Sequence, residues 1–164
     1  MSIKKLWPLL ALLVVPALSA AQDQPAANAP LDVMKANVAR IRNLAEKDRW
    51  VANVDLWEIQ LAQKGSMSTA DHQRMAALLE RVRYNVARIR SAPEKERWAA
   101  NIELWTALID GEGVMSGTAA ARLKPVLETL TTNVASINFP EERVRWDANR
   151  DLWAAVIARA VAAF

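Results

Sequence analysis

The chain has 164 residues, with 21 Lys and Arg against 18 Asp and Glu, and it contains no cysteine. The absence of cysteine excludes a disulfide framework, a thiolate metal site and a thiol nucleophile. Lys4 and Lys5 are the charged residues among the first 21, so residues 22–164 carry 19 basic and 18 acidic side chains. This nearly neutral balance lacks the strongly basic character expected of a nucleic-acid-binding protein.

The first 21 residues have the pattern of a secretory signal peptide. A basic start at Lys4 and Lys5 is followed by an apolar run from Leu6 to Leu18 and by the small residues Ser19, Ala20 and Ala21. The run is too short for a retained anchor, because a membrane span needs about 20 apolar residues. We therefore expect cleavage after Ala21 or Ala20, and a periplasmic or secreted protein with no membrane span after removal of the signal.

Residues 22–30 follow this predicted signal and contain two prolines among small and polar residues. Such a composition is typical of a flexible leader. The sequence therefore predicts one folded domain over residues 31–164.

The folded part is built on a sequence that occurs three times, at 37–57, 85–105 and 133–153, with an offset of 48 residues. Eleven positions are identical in all three copies, and in the first copy they are Asn37, Val38, Ala39, Ile41, Glu46, Arg49, Trp50, Ala52, Asn53, Leu56 and Trp57. A period of this size is typical of tandem supersecondary units, although it is longer than that of the common helical repeats of about 34 residues.

Each repeat reads as an A helix followed by a B helix. In chain order, the apolar spacing and the Gly and Pro positions predict A helices at about 31–44, 69–90 and 118–137 and B helices at about 46–64, 93–110 and 140–164. The fold class predicted is all-α: three tandem helical hairpins with repeats at about 31–65, 66–113 and 114–164. They pack as a short solenoid or as a closed bundle. The end of the last B helix, residues 153–164, is poor in charge, so the array either closes on itself or meets a partner chain.

Two tryptophans and an asparagine recur on every B helix. Trp50 and Trp57 lie on one apolar stripe, and Asn53 lies between it and a second stripe. The favoured interpretation is that the indoles are core residues and the amides bond one another and set the register between hairpins. The alternative is a cavity or groove for an apolar ligand or a glycan, with the candidate binding residues Trp50, Asn53, Trp57, Trp98, Asn101, Trp105, Trp146, Asn149 and Trp153.

Glu46 and Arg49, with their equivalents in the other repeats, stand three residues apart in the first turns of the B helices. This spacing predicts an ion pair within each helix. Its repetition suits a structural role, because an active site is usually built once.

No nucleophile motif, phosphate loop or metal-ligand set is visible, and no cofactor is predicted. The function predicted is an exported, non-catalytic binding module whose partner is another cell-envelope protein or a second copy of the chain. Its contacts are expected outside the repeated positions.

Overall fold

The computed structural model describes the backbone of residues 24–163 and the side chains of residues 29–163. The predicted signal peptide, residues 1–21, lies outside this range. Within it the chain forms six helices and no strand, which confirms the all-α prediction: α1 (Gln24–Val38), α2 (Leu44–Ala62), α3 (Thr69–Val86), α4 (Ala92–Asp110), α5 (Gly117–Ala135) and α6 (Pro140–Ala162).

Helix α1 begins at Gln24, seven residues before the predicted start at Leu31, so most of the segment predicted as a flexible leader is helical. Pro25 is the second residue of α1, where a proline costs no intrahelical hydrogen bond, and alanines favour the helix that follows. At 15 residues α1 is close in length to α3, which has 18. The predicted start of the first A helix at residue 31 is therefore wrong.

The loops between the A and B helices contain a buried isoleucine at the same position of each repeat. The A helices end at Val38, Val86 and Ala135, several residues earlier than predicted for the first two. Ile41, Ile89 and Ile137 then lie buried beneath the loops, and their N–H groups donate to carbonyls three residues back, at 3.0–3.1 Å. The apolar period continues through these isoleucines, which is why the helices were predicted too long.

The three B helices, α2, α4 and α6, run parallel around a pseudo-threefold axis and meet through their side chains. The A helices cover the gaps between them: α3 contacts α2 and α4, α5 contacts α4 and α6, and α1 contacts α6 and α2. Since α1 packs against α6, the last hairpin is joined to the first. The molecule is thus a closed bundle, and α1 covers part of the last helix.

Candidate functional site

The six repeated tryptophans form two triangles on the pseudo-threefold axis. Ring centroids are 4.9 Å apart for each pair in the first triangle and 4.6 Å apart for each pair in the second. The first triangle consists of Trp50, Trp98 and Trp146, and the second of Trp57, Trp105 and Trp153. Edge-to-face and tilted packing at these distances is favourable for indole rings. The tryptophans are the largest side chains of the core.

The repeated asparagines of the B helices close a ring of hydrogen bonds between the two triangles. The Asn53 amide donates to Asn149 Oδ1 at 3.0 Å, Asn149 donates to Asn101 at 2.9 Å, and Asn101 donates to Asn53 at 2.9 Å. Each Oδ1 also accepts an indole N–H from the second triangle at 2.8–2.9 Å. This arrangement confirms the prediction that the amides bond one another between hairpins.

The nine residues named as candidate binding residues are therefore brought together, and they contact one another. Their exposed fractions are between 0% and 1%. A ligand could reach these indoles and amides only if the bundle opened. The geometry accounts for their repetition by packing and hydrogen bonding, because each hairpin supplies one third of a shared core.

A second ring, of ion pairs, lies one turn nearer the amino ends of the B helices. Arg49 pairs with Glu94, Arg97 with Glu142 at 2.6 Å, and Arg145 with Glu46 at 2.6 Å. The prediction of a pair within each helix is therefore wrong, because every arginine reaches the glutamate of a neighbouring hairpin. The guanidinium groups also lie 5.6–5.9 Å from ring centroids of the first tryptophan triangle, within cation–π distance.

The electrostatics of this ring reflect its burial. Burial lowers the pKa of the Arg145 guanidinium, although Glu46 and the other nearby carboxylates oppose that shift. Breaking such a pair leaves an uncompensated charge in a poorly solvated place, which is strongly unfavourable. The ring therefore holds the three hairpins together at one end of the bundle.

A pocket of about 310 Å³ opens at the same end, between the first two A-to-B loops. Its walls come from the start of α2, the end of α3 and the glutamates of the ion-pair ring: Asn43, Ala45, Glu46, Arg49, Asn85, Arg88, Ile89, Glu94 and Glu142. We call this end of the molecule the loop end; it comprises residues 39–43, 87–91 and 136–139 and the first turns of α2, α4 and α6. The sequence did not predict this concave, polar surface.

The hairpins differ most visibly at the loop end. Asn43 and Ser91 are the N-caps of α2 and α4, and each side chain accepts a hydrogen bond from the backbone N–H three residues on. The equivalent residue before α6 is Phe139, which makes no capping bond and is 72% exposed. Leu44, at the start of α2, is 82% exposed. Both were missed from the sequence, although aligning the three repeats shows a phenylalanine at a capping position.

A further asymmetry lies beside the pocket, on the outer side of α2. Asp48 accepts hydrogen bonds from Arg81 and from the amide of Asn85, the latter at 2.6 Å. The hydrogen bond from Arg81 is the main reason that the pKa of the Asp48 carboxyl lies below its usual value, with burial opposing it. The equivalent of Asp48 in the third hairpin is Val144, whose side chain cannot accept a hydrogen bond, so this contact is not repeated there.

Comparison with protein-family models, with curated proteins and with solved structures found no match to this chain. Among residues 24–163, no three His, Cys, Asp or Glu side chains are grouped in a way that could hold a metal ion. None of the six described helices combines the length and apolar character needed to cross a bilayer.

Proposed function

We propose that the protein is a non-catalytic binding module that contacts another protein through its loop end. The observation that carries this proposal is Phe139, an exposed aromatic side chain at a position where the other two hairpins have a helix cap. The repeated residues are used for the core and for the two rings that join the hairpins. Recognition is therefore assigned to residues that differ between repeats.

Phe139 makes the fold less stable than it could be. Replacing a capping side chain by one that cannot cap costs about 1 kcal/mol, and an exposed phenyl ring recovers none of that in the free protein. Places where a sequence departs from a local rule without a gain in stability tend to be functional. Phenylalanine, like the other aromatic residues, also buries a large apolar area when it enters a protein interface.

Leu44 supports the same assignment. It occupies the first turn of α2, where the equivalents in the other hairpins are Ala92 and Pro140. A large exposed apolar side chain gains free energy when a partner removes it from water, at about 25 cal/mol per Å² of apolar surface. Phe139 and Leu44 thus supply two apolar contacts at the end where the pocket opens.

The proposal includes export to the periplasm or the exterior, which is supported by the basic start and apolar run of residues 1–21. Amino-terminal sequencing of the chain recovered from its native cells should then begin at Gln22 or Ala21. A chain that retains Met1 would contradict export by this route.

The variant Phe139→Ser separates function from stability. It places at the start of α6 the residue that caps α4, so we expect the free energy of unfolding to rise by about 1 kcal/mol. The same variant should lose the partner that the wild-type protein captures from a cell-envelope extract. Gain of stability with loss of capture is a combination that damage to the fold cannot produce.

Val114→Ser is the matched control. Val114 is an apolar residue 63% exposed in the loop between α4 and α5, at the opposite end of the bundle. This variant should capture the same partner as the wild-type protein. If Phe139→Ser keeps its partner, or if Val114→Ser loses it equally, recognition does not use the loop end.

A further inference from the structure

The charges of the loop end are distributed unequally among the hairpins. The first loop carries Arg40 and Arg42 and the second carries Arg88 and Arg90, and all four side chains are exposed. The third loop has Ser136 and Asn138 at the corresponding positions. The first two loops are therefore basic, whereas the third loop, which ends with Phe139, is uncharged and is followed by Glu141 and Glu142 in the first turn of α6.

These four arginines have no carboxylate partner within residues 29–163. None of the ion pairs of the described chain includes them. Arg88 instead makes a cation–π contact, with its guanidinium 4.9 Å from the ring centroid of Tyr84. The neighbouring glutamates of the ion-pair ring accept hydrogen bonds from Arg49, Arg97 and Arg145 instead.

The concentration of charge is large relative to the whole chain. Outside residues 1–21 the formal net charge is about +1, since 19 basic side chains face 18 acidic ones. The four exposed arginines therefore concentrate positive charge on two loops of the loop end. Such a distribution favours and orients an approaching anionic partner.

We infer that the partner presents an acidic protein segment, whose carboxylates pair with Arg40, Arg42, Arg88 and Arg90 while an apolar side chain of the same segment packs against Leu44 and Phe139. This inference rests on the proposed function and names the chemistry of the partner. The pocket beside Arg88 favours a protruding segment over a planar membrane, because a bilayer surface cannot fill a concave site. The three glutamates on the pocket wall are already paired with the arginines of the ion-pair ring. Guanidinium groups also suit carboxylates, to which they donate two hydrogen bonds at once.

The probe is a short fluorescein-labelled peptide rich in Glu with a central Phe, and its binding is followed by fluorescence anisotropy at low and high salt. A peptide with Gln in place of every Glu tests the role of charge. Vesicles of phosphatidylglycerol, compared with vesicles of phosphatidylcholine, test an anionic membrane as the alternative partner.

The third hairpin provides substitutions that this fold already accepts. The test variant combines Arg40→Ser, Arg42→Asn, Arg88→Ser and Arg90→Asn, which gives the first two loops the residues of the third loop at these positions. The control variant removes four exposed positive charges away from the loop end, by Lys64→Gln, Arg74→Gln, Arg122→Gln and Lys124→Gln. Both variants have the same formal charge, so they separate a local effect from a general one.

We expect the wild-type protein to bind the Glu peptide at low salt and the test variant to bind it about tenfold more weakly or worse, since several exposed ion pairs are lost together. The control variant should stay within about twofold of the wild type, and added salt should weaken binding by screening. Failure of the wild type to bind, equal binding of the Gln peptide, or an equal loss in the control variant would overturn the inference. So would binding to phosphatidylglycerol vesicles without binding to the peptide.

Failure of this inference can be told apart from failure of the proposed function. If Phe139→Ser abolishes capture of the partner but the arginine variant retains it, the loop end still binds a protein, and that protein is not held by acidic residues. If neither variant affects capture, the loop end is not the binding surface.

Discussion

The hydrogen-bonded asparagine ring gives a sharp test of the core, through the substitution Asn101→Ala. Asn101 Oδ1 accepts from the Asn149 amide at 2.9 Å and from the Trp153 indole at 2.8 Å, and its own amide donates to Asn53. The alanine variant leaves two buried donors without these acceptors, while Asn53 Oδ1 keeps its bond from Trp105. Each orphaned donor costs about 1–3 kcal/mol, so we expect a loss of about 4 kcal/mol.

Urea denaturation followed by far-UV circular dichroism measures this loss, with the slope of the transition expected to stay unchanged. A loss of this size is a large part of the roughly 5–15 kcal/mol that stabilises a typical domain. The pseudo-threefold symmetry adds an internal control, because Asn53→Ala and Asn149→Ala each remove the same kinds of bond. The three losses should agree within about 1 kcal/mol, a spread typical of context effects.

The variant Trp153→Phe keeps the test usable if Asn101→Ala fails to fold. It removes one donor to Asn101 and leaves that oxygen bonded to Asn149, so it should cost less than Asn101→Ala. The double variant combines Asn101→Ala with Trp153→Phe, so the alanine substitution no longer leaves an indole donor without an acceptor. Its loss of unfolding free energy should therefore be about 1–2 kcal/mol smaller than the sum of the losses in the two single variants. A loss below about 1 kcal/mol for Asn101→Ala, or strict additivity, would refute the assignment of these bonds to stability.

Two predictions concern the ionised groups. Arg97→Gln breaks a nearly buried ion pair with Glu142, and we expect the free energy of unfolding in urea to fall by about 2–3 kcal/mol. The loss is smaller than for a fully buried pair, because Glu142 is 23% exposed and regains water. An unchanged urea midpoint would contradict this expectation. Asp48→Asn should lower stability at neutral pH by removing the carboxylate that Arg81 and Asn85 contact. Because the pKa of Asp48 is lowered on folding, its stabilisation is complete above its unfolded pKa of about 3.9 and is lost as pH falls through the lower folded value. The stability difference between wild type and Asp48→Asn should therefore shrink on acidification below pH of about 4, and a constant difference from pH 7 to acid unfolding would contradict the assignment.

Several features of the fold could be predicted because they depend on local spacing. Trp50 and Trp57 are seven residues apart, which places both on the same side of a helix whatever the tertiary structure. Serine is favoured at N-cap positions, and the hydroxyl of Ser68 accepts a hydrogen bond from the Asp71 N–H at the start of α3. The helix boundaries around Pro93 and Pro140 were also close, since proline is accepted readily in a first helical turn.

The candidate site was harder to predict because it depends on contacts between hairpins. From the sequence, Glu46 has Arg49 within reach on its own helix, and periodicity alone gives no reason to prefer Arg145, 99 residues away. The loop end required the three A-to-B loops to be brought together at one end of a closed bundle. Only then do Phe139, Leu44 and the loop arginines share a surface.

The amino-acid sequence by itself determined the three repeats, the six helices and the apolar character of the repeated tryptophan positions, because helical period and the conformational preferences of Gly and Pro act within a few residues. Only the tertiary structure decided between an open array and a closed bundle, and which glutamate each arginine contacts. The physical reason is that α1 packs against α6 and that the amide and ion-pair rings each need all three hairpins. These contacts join residues far apart in the chain, and no local pattern specifies them.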